Sequence, residues 1–263
     1  MSRPVVALLT DFGSRDHYAG PMKAVILGIC PEVTLVDITH EIPAHDILTA
    51  TLELAAGYKY FPPGTIFLVV VDPGVGSARR GIAVDTGDYR LVAPDNGVLT
   101  AVLKESPARR VVELTERRYA RPTVSRTFEG RDRFAPAAGW LARGVELSAL
   151  GRSAGAIQQL AIPEPRIADD TLTGEVLRVD RFGNLVTNID RKLFDRFTHA
   201  SGIEIAAAAH CIGRVVATYA DANAEEVCAL FGSTDHLEIA VNAGSAAERL
   251  KLSRGAPVTI RRT

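Results

Sequence analysis

Residues 66–84 read IFLVVVDPGVGSARRGIAV: an unbroken apolar run, an acid, a Pro-Gly turn, a second glycine, two arginines and another apolar run. Strands that stay apolar without alternating are those buried on both faces of a sheet, so 65–71 predicts a central strand. Gly74 and Gly76 open like a dinucleotide fingerprint, but Arg79 stands at the third glycine position and 81–85 reads as a strand. The helix N-terminus that would hold a pyrophosphate is therefore missing. What remains is a cationic loop beside an acid at a strand end.

Outward from this segment the same alternation recurs. Apolar runs at 5–10, 34–36, 81–85, 89–93 and 110–113 are separated by helix-compatible stretches at 17–29, 46–58, 96–104 and 133–143. This pattern predicts an α/β unit, a mostly parallel sheet flanked by helices. Residues 161–171 carry two prolines and no periodicity, as a linker does. The expected domains are thus 1–160, the linker 161–171, and 172–263. The last reads as a small antiparallel β-barrel, with strands at 174–180, 185–189, 213–218, 237–241 and 257–261 and a tight turn at Phe182-Gly183-Asn184.

Composition excludes several classes. With 263 residues, 47% apolar and 23% charged, the chain is globular and long enough for one large domain or a large and a small one. Thirty basic against 31 acidic residues leave a net charge of −1, which recruits neither nucleic acid nor an anionic membrane. Residues 109–133 hold eight arginines against four acids, without the aromatic interleaving of a nucleic-acid groove, so they read as a solvated loop. The first apolar run ends after five residues in Thr-Asp, too short for a signal segment or a span, so a soluble, cytoplasmic protein is expected. Cys30, Cys211 and Cys228 show no C-x-x-C spacing and read as small buried hydrophobes.

Four apolar segments of the first domain end in an acid and a turn: Thr10-Asp11-Phe12-Gly13, Val36-Asp37-Ile38-Thr39, Val71-Asp72-Pro73-Gly74 and Pro94-Asp95-Asn96-Gly97. The carboxyl ends of parallel strands share one edge, where ligands bind, so the acids are expected on one rim. Any single one is equally at home as a turn residue or helix N-cap. Asp37, His40, His45 and Asp46 resemble a metal-ligand set in type. Their irregular spacing suits polar loop residues better, and a metal-dependent phosphohydrolase is the outlying reading.

Leu9-Thr10-Asp11-Phe12-Gly13, Asp72-Pro73-Gly74-Val75-Gly76 with Arg79, Pro94-Asp95-Asn96-Gly97, 127–136 (TFEGRDRFAP), Phe182-Gly183-Asn184 and 237–242 (LEIAVN) together resemble the S-adenosylmethionine hydroxide adenosyltransferase family, relatives of the S-adenosylmethionine-dependent chlorinase and fluorinase. The resemblance runs in order over nearly the whole chain. It implies an α/β domain and a barrel domain, a homotrimer with sites between subunits, no cofactor, and conversion of S-adenosylmethionine and water to adenosine and methionine. Carried over by position, Asp11 would hold the ribose hydroxyls. Phe182 and Asn184 would contact the adenine, with the backbone around Asn242 and Ala243 adding to it. Asp180 and Ser233 would hold the methionine end. The water-activating set would be Asp72, Arg79 and a histidine in the 127–136 motif.

At that histidine position this chain has Glu129. A second carboxylate changes the balance to two negatives against one positive. At ~4 Å and an effective dielectric of ~20, one extra charge is worth roughly 4 kcal/mol, or about three pKa units. A preformed hydroxide beside an ionised Glu129 is thereby disfavoured, and so is a halide nucleophile. Three readings stay open: Glu129 takes the water's proton during attack; Glu129 pairs with Arg131 or Arg79 and serves structure; or the protein binds adenosine or S-adenosylmethionine without turnover.

Overall fold

In the computed structural model, residues 3–199 and 202–263 are described; the first two residues of the expected domain 1–160, and 200–201 of 172–263, lie outside them. The chain divides into two compact units that part between Ala161 and Ile162. In the first unit, β1 (Val5–Thr10) and β3 (Ile66–Val70) are buried along almost their whole length. Because side chains alternate across a sheet, Val6, Leu8, Ile66, Leu68 and Val70 enter one core and Ala7, Leu9, Phe67 and Val69 enter another. Helices α1 (Ala19–Ile29) and α4 (Ala135–Ala142) cover the first face through Met22, Ile26, Ala138 and Leu141. The opposite face is covered by α2 (Ile47–Gly57) and α3 (Thr100–Glu105) through Ala50, Leu54 and Val102.

The remaining strands are β2 (Thr34–Thr39), β4 (Gly81–Asp85), β5 (Arg90–Pro94), β6 (Arg110–Leu114) and β7 (Gly151–Ser153), in the spatial order β2-β1-β3-β5-β4-β6-β7. The first four in that order run parallel to one another. Beyond them every pairing is antiparallel, so the expected α/β sheet is mixed. The reason is local: β4 and β5 are joined by a turn closed by Thr86 and Tyr89, and a hairpin admits only antiparallel pairing. The strand at 81–85, read as the element that breaks the dinucleotide fingerprint, is present. The carboxyl ends of β1, β2, β3 and β5 share one edge, which places Asp11, Asp72 and Asp95 on the same rim of the sheet; Asp37 falls short of it, because β2 runs on to Thr39 and pairs Asp37 with Leu8 inside the strand.

The second unit is an antiparallel, nearly closed barrel. Its strands are β8 (Arg166–Ala168), β9 (Thr171–Val179), β10 (Leu185–Asp190), β11 (Ile203–Ala207), β12 (His210–Ile212), β13 (Val227–Phe231), β14 (His236–Val241) and β15 (Pro257–Arg262). They run in the order β12-β11-β15-β9-β10-β14-β13, with β8 beside β9. Leu172, Val176, Leu185, Ile239, Val258 and Ile260 fill the interior, together with Phe194 and Phe197 of α5 (Arg191–Thr198). The short helix α6 (Ala246–Leu250) follows β14.

The expected strand at 213–218 does not form. Val215 makes only an isolated bridge to Ala229, because Arg214 donates to the Asp221 carbonyl and Thr218 enters a capping box with Asp221, which pull the segment into a turn. The β11–β12 hairpin is absent from the sequence reading. It turns on Ala208 at φ 51°, a left-handed position usually marked by glycine or asparagine. Cys30 and Cys228 are buried as expected, whereas Cys211 is exposed on β12, next to the chain's hairpin turn. Among the described residues no helix is long and apolar enough to cross a membrane.

Phe67 is fully buried and meets Tyr58, Phe61 and Tyr89 edge to face. Phe67→Ala is expected to remove about 3–5 kcal/mol of stability, seen as a lower urea midpoint with an unchanged far-UV spectrum at zero denaturant.

Candidate active site

At the end of β3 the chain reverses through Asp72-Pro73-Gly74-Val75, with the Val75 N–H donating to the Asp72 carbonyl. Gly76 follows at φ 76°, and a Cβ there would stand 2.3 Å from the Arg126 carbonyl oxygen. Only glycine lets these two loops meet, and their meeting carries Glu129 to the tip of β3. After Glu129 the backbone widens into one π-turn, Gly130–Phe134, in which the Ala135 N–H reaches back to the Gly130 carbonyl. Single π-turns of this kind recur at functional sites.

Arg79 spans the gap between the two carboxylates. Its Nε donates to Asp72 Oδ1 at 3.0 Å, and its Nη2 donates both to Asp72 Oδ2 and, at 2.7 Å, to Glu129 Oε2. The three side chains are only 8%, 5% and 10% exposed for Arg79, Asp72 and Glu129. The guanidinium also lies over the Phe134 ring, 5.2 Å from its centroid. Among the described residues, Arg79 Nη1 has no hydrogen-bond partner and is shielded from solvent. Burial pushes the Asp72 carboxyl above the ordinary aspartate range; Arg79 opposes this and the Glu129 charge adds to it.

Asp72 and Glu129 face a cavity of about 290 Å³ whose wall also includes Asp11, Phe12, Tyr18, His45 and Phe128. The rings of Phe12, Tyr18 and Phe128 pack at 5.2–5.9 Å from one another. Asp11 is fixed by the His45 N–H, which donates to Oδ2 at 2.8 Å from a backbone held at φ 67°. The loop behind it is tied down by His40, whose Nδ1 meets Thr10 Oγ1 at 2.8 Å and whose carbonyl accepts from Gly13 N–H.

The other two acids expected on the rim, Asp37 and Asp95, serve structure. Asp37 pairs with Lys23 at 2.6 Å and with His40 at 3.1 Å. Asp95 is buried against Arg80 and accepts from the Gln158 N–H at 2.7 Å. The adjacent arginines therefore part company, Arg79 to the two carboxylates of the cavity wall and Arg80 to the 156–158 segment, where it also donates to the Ala156 carbonyl. The metal reading fails on geometry. Asp37 and His40 are taken up with each other, His45 projects from an exposed loop, and among the described residues no three ligating side chains converge. Glu129 does pair with Arg79, but Arg131 is engaged by Asp132 through two hydrogen bonds, and the second cation beside Glu129 is Arg133.

On the second unit, Asp180 organises the turn between β9 and β10. It accepts from the N–H groups of Phe182 and Asn184 and from Asn184 Nδ2, all at 2.8–2.9 Å. Phe182 is left 77% exposed, an unsatisfied apolar surface, while Asn184 is buried. Gly183 lies at φ 84°, where a Cβ would stand 2.1 Å from Ser245 Oγ, and its carbonyl accepts from Ala247 N–H. The turn is thus packed on the 242–247 segment, where Asn242 donates to the Ala222 carbonyl and Ala243 sits exposed at φ 59°. Ser233 is exposed on a different loop, between β13 and β14.

The structure therefore joins Asp11, Asp72, Arg79 and Glu129 in one unit, and Asp180, Phe182, Asn184, Asn242 and Ala243 in the other. Of the wall residues, Tyr18 is absent from the sequence reading, and His45 enters it only as a polar loop residue or metal-ligand candidate. Phe12 and Phe128 stood inside motifs already quoted, and an aromatic beside a strand-end acid was the signal that went unused.

Fold and site define the class: an α/β protein with an appended barrel and an acid- and aromatic-lined cavity at the carboxyl edge of its parallel strands. Residues 6–151 match the SAM hydroxide adenosyltransferase N-terminal domain and residues 174–259 its C-terminal domain, and the chain belongs to that family. It is 37% identical over 266 residues to a Thermus thermophilus protein named (R)-S-adenosyl-L-methionine hydrolase, covering 98% of this chain and 99% of the relative. A Salinispora tropica protein of the same name is 36% identical over 96% of this chain and 95% of its own length. A crystal structure of a conserved Thermotoga maritima protein, 36% identical, superposes with a TM-score of 0.92 over 98% of this chain and 100% of that one.

Asp72→Ala leaves the buried Arg79 charge with one carboxylate in place of two. The expected cost is about 3 kcal/mol, measured by urea unfolding at pH 7 against a smaller loss for Asp72→Asn.

Proposed function

We propose that this protein hydrolyses S-adenosyl-L-methionine to adenosine and L-methionine by attack of water at ribose C5′. The observation that carries the reading is the Asp72–Arg79–Glu129 clasp at a cavity wall, in a chain whose relatives are named for this hydrolysis. A sulfonium is a cation that departs as a neutral thioether, so the difficult part is the nucleophile. As the O–C5′ bond forms, the C5′–S electron pair passes to sulfur and one water proton passes to the Glu129 carboxylate. Asp72 accepts the other O–H and aims the oxygen along the line of displacement.

Arg79 acts through these two groups. Its Nη2 is shared by both carboxylates and its Nη1 is shielded from solvent, so its charge opposes the proton uptake that burial favours at Asp72 and holds the two groups side by side. The sulfonium is drawn in by three acids, Asp11, Asp72 and Glu129, and by the faces of Phe12, Tyr18 and Phe128. Asp11 would receive the ribose hydroxyls on the oxygen that His45 leaves open. The exposed Phe182 ring would stack on adenine, with Asn184 and the Asn242–Ala243 backbone reading its edge. Asp180 and Ser233 would hold the amino-acid end. The reaction uses no cofactor, S-adenosylmethionine being the substrate. The homotrimer with composite sites belongs to the same proposal and is checked by sedimentation. A cytoplasmic location belongs to it too, supported by three cysteines that form no disulfide.

Chromatography of purified protein incubated with each sulfonium epimer in turn should show adenosine and methionine appearing in equal amounts with at least one of the two. Glu129→Gln should lower kcat on the order of 100-fold, while Glu129→His retains turnover. No consumption over hours by a sample that binds adenosine would replace hydrolysis by a binding function. The rate should fall as pH drops through a midpoint above the 3.8 of an ordinary aspartate, because Asp72 must be ionised to orient the water and burial makes it take up a proton early.

A further inference from the structure

Two buried carboxylates against one guanidinium would leave the cavity wall with an uncompensated negative charge. The nearby cations that could correct this are mostly committed elsewhere. Arg80 is held by Asp95, Arg131 by Asp132, and Arg126 reaches the Gly76 carbonyl. Arg133 is the exception. Its Nη2 stands 3.4 Å from Glu129 Oε1, the oxygen that Arg79 does not touch. It gets there because Arg133 lies within the π-turn, four residues after Glu129 at its start, and because β4 begins with Gly81. A Cβ at Gly81 would lie 2.5 Å from Phe134 Cε1, so glycine makes room for the Phe134 ring next to Arg133, whose Cδ would meet that Cβ at an ordinary contact of 3.5 Å.

Resting on the reading of Glu129 as proton acceptor, we infer that Arg133 is a positioning residue for this reaction: the second cation that balances Glu129 and fixes which of its oxygens is offered to the water. The groups facing Glu129 are then Arg79 from the β3–β4 loop, Asp72 from the end of β3, and Arg133 from its own turn. Two positives meet the two carboxylates of the clasp, with Asp11 a third acid further along the cavity wall. With Oε2 on Arg79 and Oε1 on Arg133, the carboxylate plane is pinned from both ends, and rotation that would carry it out of line with the water is suppressed. Arg133 is one-third exposed, so it stays in reach of solvent, while its loss leaves Glu129 Oε1 without a cation.

The test is Arg133→Met beside Arg133→Lys and Glu129→Gln, each assayed for kcat, KM and the pH dependence of kcat. Arg133→Met should lower kcat on the order of 10-fold, a base held loosely losing alignment, and should move the acid limb to higher pH. KM should hold or fall, since the wall becomes more attractive to a cation. Arg133→Lys should recover most of kcat. A purely structural arginine would instead lower Tm and leave the acid limb where it was. If Glu129→Gln turns over at the wild-type rate, the proton-acceptor reading fails and takes this inference with it. If Glu129→Gln is inactive while Arg133→Met keeps the wild-type kcat and pH profile, the Arg133 inference alone is overturned.

Discussion

A single guanidinium group, that of Arg79, holds two carboxylates side by side in a place where burial alone would neutralise or separate them. Its Nε and Nη2 reach Asp72 and its Nη2 also reaches Glu129, with the Phe134 ring beneath. The local architecture follows from keeping this group in place. Gly76 has no side chain so that the two acid-bearing loops can touch, Gly81 has none so that the Phe134 ring can lie beneath the guanidinium, and the π-turn begins directly after Glu129. Such a clasp is costly to assemble and more costly to break by halves, since a lone buried charge has nothing to offset its lost hydration.

The rim of the sheet illustrates how strand topology supplies chemistry without assigning it. Four parallel strands bring Asp11, Asp72 and Asp95 to one edge and hold Asp37 inside β2, yet of these four only Asp11 and Asp72 face the cavity. Asp37 is consumed by Lys23 and His40, and Asp95 by Arg80 and a backbone N–H. The divergence turns on partners within reach rather than on residue type. The same is true of the adjacent pair Arg79 and Arg80, which leave the same loop in opposite directions and serve different ends.

A carboxylate where the family resemblance expects histidine changes how a proton is handled more than what bond is made. A neutral imidazole and a carboxylate both accept a proton, but the carboxylate brings a charge that the pocket has to balance. The second arginine on the π-turn supplies that balance, and the aromatic wall of Phe12, Tyr18 and Phe128 suits a sulfonium whichever acceptor stands beside it.

The sequence by itself determined the two-unit plan, most strand and helix positions of the first unit, and the motifs that carry Asp11, Asp72, Arg79, Glu129, Asp180 and Asn184. These are encoded locally, by apolar runs, glycine turns and short ordered motifs, so a linear reading reaches them. The Ala208 hairpin escaped because alanine gives no turn signal, and 213–218 was misread because its apolar character is overridden by Arg214, Thr218 and Asp221 closing a turn. Tertiary structure alone decided which acids stay free, that Glu129 faces Arg79 and Arg133 rather than Arg131, and which aromatics line the wall. Those outcomes depend on residues dozens of positions apart meeting in space, and the energy of a charge is set by what stands within a few ångströms of it, which sequence order does not record.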